Sequence, residues 1–276
     1  MHQGSYYKTQ QSTFWVMIPA AGQGTRFRAT HSAAHPATTA DDEVPSKQYH
    51  RLSDNCTIAQ RTMEQMQQHP AIAGCVVALS AQDRWFQQMP CTGTKPVYTT
   101  TGGACRAASV LHALDFAQQH QLIAETDWVF IHDIARPLVT QEEISQLVQA
   151  ISQYGTAYQG ISLGLPIRDS IKHITTVPEQ NLMRITQSAS RQHIWRSITP
   201  QAAPANLLAP ALRQFGQHPE MTDEMSALAS TNVPCALLPG NEQNIKITTW
   251  QDLCVAHALL AQQKTQQKTN RQNRKT

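Results

Sequence analysis

The chain has 276 residues, of which 41% are hydrophobic and 15% are charged. This composition supports a buried core and excludes a wholly disordered protein. The length allows two domains of about 150 residues or one α/β unit, and the formal charge of +3 suggests anionic partners.

The positive excess is concentrated at the C-terminus. Residues 264–276 contain five basic residues and no acid, and without them 17 basic residues face 19 acidic ones. The rest of the chain is therefore slightly acidic. Because the tail also has no apolar residue, we expect it to be disordered. A nucleic-acid-binding arm is the alternative, but the slightly acidic body does not favour a nucleic-acid partner.

Features of membrane and secreted proteins are not found in the sequence. No apolar run reaches the 18 residues of a membrane span, and residues 1–12 form a polar extension without the hydrophobic core of a signal peptide. The six cysteines form no CxxC pair, which favours free thiols over a zinc cluster or disulfides. We expect a cytoplasmic protein with a single domain over residues 13–263.

Short apolar segments alternate with longer helical patterns along the chain. The predicted strands are residues 14–18, 75–79, 97–100, 128–131 and 161–165. The predicted helices are residues 58–68, 104–119, 142–152, 205–215, 224–229 and 251–263. This order predicts an α/β fold with a Rossmann-like, mostly parallel sheet flanked by helices.

Three segments depart from this alternation. Residues 28–44 are small and polar without periodicity, which predicts an exposed loop or lid. Residues 166–200 contain β-type pieces at 169–176 and 181–186, which predict a hairpin arm projecting from the sheet. Residues 244–248 resemble a late strand that carries Lys246, a position where an edge-strand lysine is common.

The segment IPAAGQGTR, residues 18–26, directly follows the first predicted strand. Its glycines allow backbone N–H groups to approach an anion closely. The dinucleotide fingerprint is excluded because Phe27 occupies its last glycine position, and no GK[ST] follows as a Walker A loop requires. The segment is either a phosphate-binding turn that places Arg26 beside the ligand or an ordinary strand-to-loop turn.

Further candidates lie at similar places along the chain. Lys47 in PSKQY follows the polar loop, where it could close on a phosphate or remain a solvated lysine. Gly102 and Gly103 precede a predicted helix and form a second possible anion- or base-binding turn. In HDIARP, Asp133 could bind Mg²⁺ or cap a helix, and Arg136 is interpreted as a loop-fixing ion-pair residue.

These motifs together resemble the 2-C-methyl-D-erythritol 4-phosphate cytidylyltransferase family. PAAGQGTR, PSKQY, GGACRAASV, HDIARP, PIRDS with Arg191 and TPQ, TDEMSAL and NIKIT occur in the order seen in that family. The resemblance covers roughly residues 13–262. It implies transfer of CMP from CTP to methylerythritol phosphate in the non-mevalonate isoprenoid pathway, by a Mg²⁺-dependent homodimer whose projecting arms cross the interface.

The resemblance also implies residue roles. Arg26 and Lys47 would stabilise charge on the α-phosphate, and Lys246 would position phosphates. Ser170 and Arg191 would bind the acceptor in the partner's active site. The remaining implied residues contact the nucleotide, with Asp133 also beside the metal: Ala20, Ala21, Gly22, Gly24, Gly103, Ser109 and Asp133.

Two other functions remain open. A ribitol or other polyol-phosphate cytidylyltransferase would share the nucleotide loop and differ in the arm. A nucleotide-binding pseudoenzyme is suggested by Ala104 and Ile134, where the family usually has an acidic and a small residue. Retention of four separated cations argues against the pseudoenzyme: Arg26, Lys47, Arg191 and Lys246.

Overall fold

A computed structural model describes residues 13–34, 45–53, 56–90, 93–177, 182–216, 218 and 221–273. The described strands are β1 (Phe14–Ala20), β2 (Arg51–Ser53), β3 (Cys56–Thr57), β4 (Ile72–Leu79), β5 (Val97–Thr101), β6 (Trp128–Ile131), β7 (Gly160–Pro166), β8 (Ile171–Val177), β9 (Leu182–Ala189), β10 (Trp195–Pro204) and β11 (Cys235–Pro239). The helices are α1 (Thr25–Ala34), α2 (Ile58–Gln68), α3 (Arg106–Gln119), α4 (Gln141–Tyr154), α5 (Ala205–Phe215), α6 (Glu224–Ala229) and α7 (Trp250–Asn273).

Seven strands form one sheet in the order β11-β7-β10-β6-β1-β4-β5. All neighbours pair in parallel except β10, which is antiparallel to both β6 and β7. The predicted α/β fold with a mostly parallel sheet is therefore confirmed. The parallel arrangement brings the carboxyl ends of β1 and β6 side by side, which is where open α/β sheets bind ligands.

Both faces of the sheet are covered, as the apolar character of its strands requires. One core cluster packs α2 and α4 against residues such as Val16, Ile18 and Phe130. The other packs α3, α5 and α6 against the opposite face, with Met17, Val76 and Ile131 in its centre. An apolar stripe of α3 faces this core, because Val110, Leu114 and Ala117 are fully buried and Leu111 is partly buried.

Helices begin where local capping groups are present. Thr57 caps α2 and Thr140 caps α4, each in a capping box with the side chain of the third helical residue. Asp223 caps α6 in the same way. These side chains satisfy backbone N–H groups that have no partner within the helix, and they explain why these three helices begin within one residue of their predicted starts.

Four predictions are wrong in whole or in part. Residues 28–34 of the predicted loop belong to α1, because Phe27 is buried against the start of α7, whereas residues 35–44 lie outside the described residues. Residues 244–248 form a loop. The predicted arm ends too late, since β10 belongs to the central sheet. Helix α7 continues to Asn273, through most of the tail predicted to be disordered.

The last difference has a simple cause. Extending a helix that is already anchored requires no new nucleation, and Gln, Lys and Arg are good helix formers. The predicted N-terminal extension, residues 1–12, lies outside the described residues. Among those described, no helix is both long and apolar enough to cross a membrane.

Candidate active site

A cavity of about 310 Å³ lies beyond the carboxyl ends of β1 and β6. It is within the size range of small-molecule sites. Ten of the twelve predicted site residues line it: Ala20, Ala21, Gly22, Gly24, Arg26, Lys47, Gly103, Ser109, Asp133 and Lys246. The structure therefore brings together residues that are as far apart in sequence as Ala20 and Lys246.

The glycine-rich segment turns from β1 directly into α1. Gly24 has a φ of +64°, a left-handed conformation that strains residues with a side chain. The turn points the N-terminus of α1 toward the cavity, where unpaired helix N–H groups favour an anion. Arg26 is exposed in the first turn of α1 and lines the cavity. This arrangement supports the phosphate-binding interpretation over an ordinary turn.

Lys47 begins a short 3₁₀ turn, Lys47–Tyr49, which packs beside the glycine-rich segment, since a Cβ added to Gly24 would lie 3.6 Å from Lys47 Cγ. Its Nζ donates to the carbonyl oxygen of Ile247 at 3.0 Å. The neighbouring Gln48 donates from Nε2 to the carbonyl oxygen of Ala20 at 3.1 Å, which fastens the turn to the glycine-rich segment. Lys47 is thus a half-buried cation held inside the site and is not a solvated surface lysine.

Burial, followed by the positive charges of Lys246 and Arg26, lowers the pKa of Lys47 to about 8. These effects outweigh the opposing attraction of Asp133. Like charges gathered without a matching number of carboxylates disfavour one another's charged forms. A cluster of this kind is suited to a polyanionic ligand, which would supply the missing negative charge.

The second glycine-containing turn packs too closely to accept side chains. A Cβ added to Gly102 would meet the Cβ of Ala21 at 2.5 Å, and one added to Gly103 would meet the Cβ of Ala108 at 2.3 Å. Ser109 holds the turn by accepting from the Gly103 N–H at 3.1 Å. The turn therefore presents backbone to the cavity, directly beside Ala21 of the glycine-rich segment.

Asp133 is the centre of the charge network. Its Oδ1 accepts from Arg106 Nε at 2.9 Å, and its Oδ2 pairs with Lys246 Nζ at 2.9 Å and Arg136 Nε at 3.4 Å. Although burial alone would raise the pKa of Asp133, the three cations hold it well below its usual range. No helix begins at Asp133, so the helix-capping alternative is wrong.

The loop of residues 241–248 is held in place by buried polar contacts. Glu143 Oε1 accepts from the backbone N–H of Asn241 at 3.0 Å and from Asn244 Nδ2 at 3.1 Å. Arg136 Nη1 donates to the carbonyl oxygen of Asn244 at 2.7 Å. This confirms the loop-fixing ion-pair role predicted for Arg136, and the contacts position Lys246 without a strand.

His132 is linked to the backbone of Asp133 through the Thr199 hydroxyl. Its Nε2 lies 3.1 Å from the carbonyl oxygen of Arg136, which can only accept, so the ring donates from Nε2. Its Nδ1 then accepts from the Thr199 hydroxyl at 3.1 Å, and the Asp133 N–H donates to that hydroxyl at 3.0 Å. Complete burial lowers the pKa of His132 to about 4, so the ring is neutral at physiological pH.

Ser170 and Arg191 are not among the residues that line the cavity. Both are exposed, on the segments that flank the β8–β9 hairpin. Within this chain, the structure therefore does not bring the predicted acceptor-binding residues to the predicted nucleotide site.

Two functional candidates are missing from the sequence prediction. Arg106 lines the cavity and bridges Asp133 and Glu224, with an Nη1–Oε1 distance of 2.6 Å to the latter. Glu224 is fully buried. The signal for Arg106 was its place at the start of a helix after two glycines, but its partners lie 27 and 118 residues away, and nothing local indicates them.

Mg²⁺ requires oxygen ligands, and the cavity wall supplies few of them. Asp133 is the only carboxylate among the described residues that line the cavity, and no cluster of three metal-binding side chains occurs in the described part of the chain. Mg²⁺ in nucleotide sites commonly takes one or two carboxylates and obtains its other ligands from phosphates and water. Asp133 fits such a nucleotide-borne ion and does not form a protein-only metal site.

A Rossmann-like sheet, two backbone-lined turns and separated cations around one carboxylate define a nucleotidyltransferase-type site. The chain belongs to the 2-C-methyl-D-erythritol 4-phosphate cytidylyltransferase family, whose sequence model (IspD) matches residues 14–262. Enzymes of that name from Tolumonas auensis and Vibrio cholerae are 33% and 34% identical to it. They align over 91% and 90% of this chain and 98% and 97% of their own.

Solved structures agree with this assignment. A crystal structure of 4-diphosphocytidyl-2C-methyl-D-erythritol synthase has a TM-score of 0.70 at 27% identity and covers 90% of this chain and 99% of its own. The Francisella tularensis 2-C-methyl-D-erythritol 4-phosphate cytidylyltransferase gives 0.67 at 26% identity, with 89% and 98% coverage. The resemblance inferred from the motifs is thus confirmed.

Proposed function

We propose that this chain transfers CMP from CTP to 2-C-methyl-D-erythritol 4-phosphate, releasing pyrophosphate, as a step of the non-mevalonate isoprenoid pathway. The observation that carries the proposal is the single cavity lined by ten of the twelve predicted site residues. Relatives with the corresponding name align over nearly the whole chain. This chain is therefore long enough to contain both a nucleotide site and an acceptor site, which supports the proposal.

The reaction is a displacement at phosphorus. An oxygen of the acceptor phosphate attacks the α-phosphorus of CTP, and the bond to the pyrophosphate oxygen breaks as the new P–O bond forms. Arg26 and Lys47 offer N–H donors to the charge that builds on the α-phosphate oxygens. The two glycine turns hold the nucleotide, so that catalysis rests on positioning and electrostatic stabilisation.

Mg²⁺ belongs to the proposal as the cofactor that neutralises triphosphate charge when bound. Asp133 would hold it together with the nucleotide phosphates. Lys246 pairs with Asp133 Oδ2. Phosphate binding would give Lys246 a second anionic partner and leave Asp133 available to hold Mg²⁺. Lys246 would then position the phosphates, which is its proposed role.

A homodimer would complete the site. Ser170 and Arg191 lie outside the cavity of their own chain, and the hairpin beside them exposes Ile174, Met183 and Ile185 by 52%, 67% and 61%. Large apolar side chains grouped on one exposed surface are typical of an interface. We propose that two arms pair across a dimer and deliver Ser170 and Arg191 to the partner's acceptor site.

We also propose that the enzyme acts in the cytoplasm. The five cysteines that the structure describes form no disulfide bond, and this agrees with a reducing compartment. The proposed substrate CTP is a cytoplasmic metabolite as well.

The test is pyrophosphate release from Mg·CTP with a panel of acceptors: methylerythritol 4-phosphate, ribitol 5-phosphate and erythritol 4-phosphate. We expect turnover with the first acceptor, and about 10²- to 10³-fold lower kcat in Lys47→Ala, the cost of losing one donor to transition-state charge. Gln23→Ala, which changes an exposed residue of the glycine-rich segment that does not line the cavity, is the control and should retain activity.

Each contrary result has a definite meaning. Turnover only with ribitol 5-phosphate would make the protein a different polyol-phosphate cytidylyltransferase. CTP binding without turnover of any acceptor would support the pseudoenzyme. Ala104 and Ile134, which line the cavity, would then be the first residues to replace with the acidic and the small residue that are usual in the family. A fully active Lys47→Ala enzyme would remove Lys47 from its proposed role.

A further inference from the structure

Arg106 is shared by two buried carboxylates. Its Nε donates to Asp133 Oδ1 at 2.9 Å and its Nη1 donates to Glu224 Oε1 at 2.6 Å. The guanidinium has a rigid fork of donors, so two contacts from different nitrogens fix both its position and the plane of the group. The side chain is still 27% exposed and lines the cavity, which leaves part of it accessible to a ligand.

Among the described residues, Glu224 forms a salt bridge only with Arg106. It is fully buried in the first turn of α6, and its second oxygen, Oε2, has no hydrogen-bond partner among the described residues. A buried carboxylate with an unsatisfied oxygen is costly. The residue does not line the cavity, so it cannot act on the ligand directly. Its contact with Arg106 is what can offset this cost.

The charge balance around Asp133 shows what the contact contributes. Three cations converge on the one Asp133 carboxylate: Arg106, Arg136 and Lys246. Without Glu224, Arg106 would compete with two other cations for a single partner, and like charges would push its guanidinium away. Among the described residues, Glu224 adds a second carboxylate whose one salt bridge is with Arg106, so Arg106 remains at the wall even when Asp133 is engaged elsewhere.

The support for Glu224 comes from elements outside the nucleotide turns. Asp223, which precedes it, caps α6 through Ser226 and accepts from Gln201 Nε2 on β10 at 2.9 Å. The start of α6 is therefore tied to the central sheet. Through Glu224, this rigid attachment is transmitted to Arg106 at the start of α3, which follows the second glycine turn.

We propose that Glu224 is a positioning residue for the nucleotide: it holds Arg106 at the cavity wall, in the orientation that also fixes Asp133, before the ligand arrives. Arg106 itself is then a ligand-binding residue that contacts the nucleotide or its phosphates. This inference rests on the proposed function, because the ligand whose binding it affects is CTP.

The experiment is a double-mutant cycle on CTP binding, measured by calorimetry with Mg·CTP and no acceptor. Glu224→Gln removes the charge and keeps the shape, and Arg106→Gln removes the guanidinium. We expect each single change to raise the Kd about tenfold, a coupling typical of one ion-pair network. In the Arg106→Gln background, Glu224→Gln should add less than about twofold, because Glu224 acts through Arg106.

Asp115→Asn is the matched control. Asp115 pairs with Arg213 at 2.6 Å and also lies on α3, but it does not line the cavity, so the Kd should not change. If Glu224→Gln does not fold, Glu224→Asp keeps the charge with a shorter reach, and we expect a Kd between those of the parent and Arg106→Gln. Crystal structures of the Glu224 variants without CTP should show Arg106 moved away from Asp133 Oδ1.

Two results would overturn the inference: a parent-like Kd in a folded Glu224 variant, or effects of the two single changes that multiply fully. A lower melting temperature with unchanged CTP binding would make Glu224 only a structural residue, which is also contrary. If the parent binds CTP but does not turn over methylerythritol phosphate, the proposed function fails while the cycle still decides the role of Glu224. A parent that binds no CTP would overturn both.

Discussion

Lys47 and Asp133 show how the same buried site moves two pKa values downward for different reasons. Burial disfavours the charged form of Lys47, and neighbouring cations add to that effect. Burial also disfavours the charged form of Asp133, but the cations around it reverse the effect. An excess of positive charge thus keeps Asp133 ionised and makes the protonation of Lys47 sensitive to pH.

This difference predicts an alkaline limit to activity. The cationic form of Lys47 is the useful one, and its pKa of about 8 means that the charge is lost as pH rises through that value. We expect kcat/KM for CTP to fall above about pH 8, because kcat/KM reports the free enzyme. The measurement is the pH profile of pyrophosphate release between pH 6.5 and 10.

Lys47→Arg provides the comparison, since a guanidinium stays charged over the whole range. Whatever its absolute activity, its alkaline limb should move to higher pH. An alkaline limb at the same pH in both enzymes would assign the titration to another group.

At this scale, the sequence could predict residues whose neighbours in the chain carry the signal. Gly24 and Arg26 belong to one short segment, and Lys47 belongs to the recognisable motif PSKQY. Arg106 and Glu224 are different, because their meaning depends on an ion pair that spans 118 residues. Neither has a local pattern that distinguishes it from a surface arginine or an ordinary first-turn glutamate.

Among the elements, the β8–β9 hairpin departs most from the compact body. The described residues show seven residue pairs between its strands, including Ile174 with Ile185 and Thr176 with Met183. Because side chains alternate across a strand, these pairs place Ile174, Met183 and Ile185 on one face. An isolated two-stranded hairpin is only marginally stable in water. We therefore expect another protein surface to cover this exposed apolar face.

We therefore expect Ile185→Lys to weaken the proposed dimer, because burying an unpaired charge in an apolar contact is costly. Size-exclusion chromatography with light scattering should show a dimer for the parent at micromolar concentration and a larger monomer fraction for the variant. Thr175→Lys, which adds the same charge to the opposite face of the hairpin, should remain dimeric. A monomeric parent would refute the dimer itself.

The elements also show where pattern reading fails. Residues 28–34 have no apolar periodicity, yet they form the body of α1, because Phe27 and the contact with α7 anchor the helix. Asn244–Thr248 alternates like a strand but is a loop, since its backbone groups bond to Arg136 and Ala135 in place of a strand neighbour. In both cases tertiary contacts override a weak local preference.

Over the whole molecule, β6 is one of the central strands whose two faces contribute to the two core clusters. Phe130 is fully buried in one cluster and stacks on Phe14 with ring centroids 5.1 Å apart, while its neighbours Val129 and Ile131 belong to the other. The strand also leads directly into His132 and Asp133. Packing of the core therefore sets the position of the carboxylate at the centre of the site.

Phe130→Ala should lower the free energy of unfolding by about 3–5 kcal/mol, the usual cost of removing a fully buried aromatic ring. Urea unfolding followed by circular dichroism measures the change. Tyr154→Ala removes a ring that is 45% exposed and should cost far less. A loss below about 1 kcal/mol for Phe130→Ala would indicate that the core refills the cavity without difficulty.

The sequence by itself determined the α/β class, most helix and strand positions, the family and most of the predicted residues that line the candidate site. These depend on short-range patterns: apolar runs, helix caps, glycine turns and ordered motifs. Only the tertiary structure decided that Arg106 and Glu224 belong to the site, that Lys47 is held by Ile247, and that Ser170 and Arg191 lie outside their own chain's cavity. The reason is that these facts depend on which distant groups share one low-dielectric space, and pairing across more than a hundred residues leaves no mark in the local sequence.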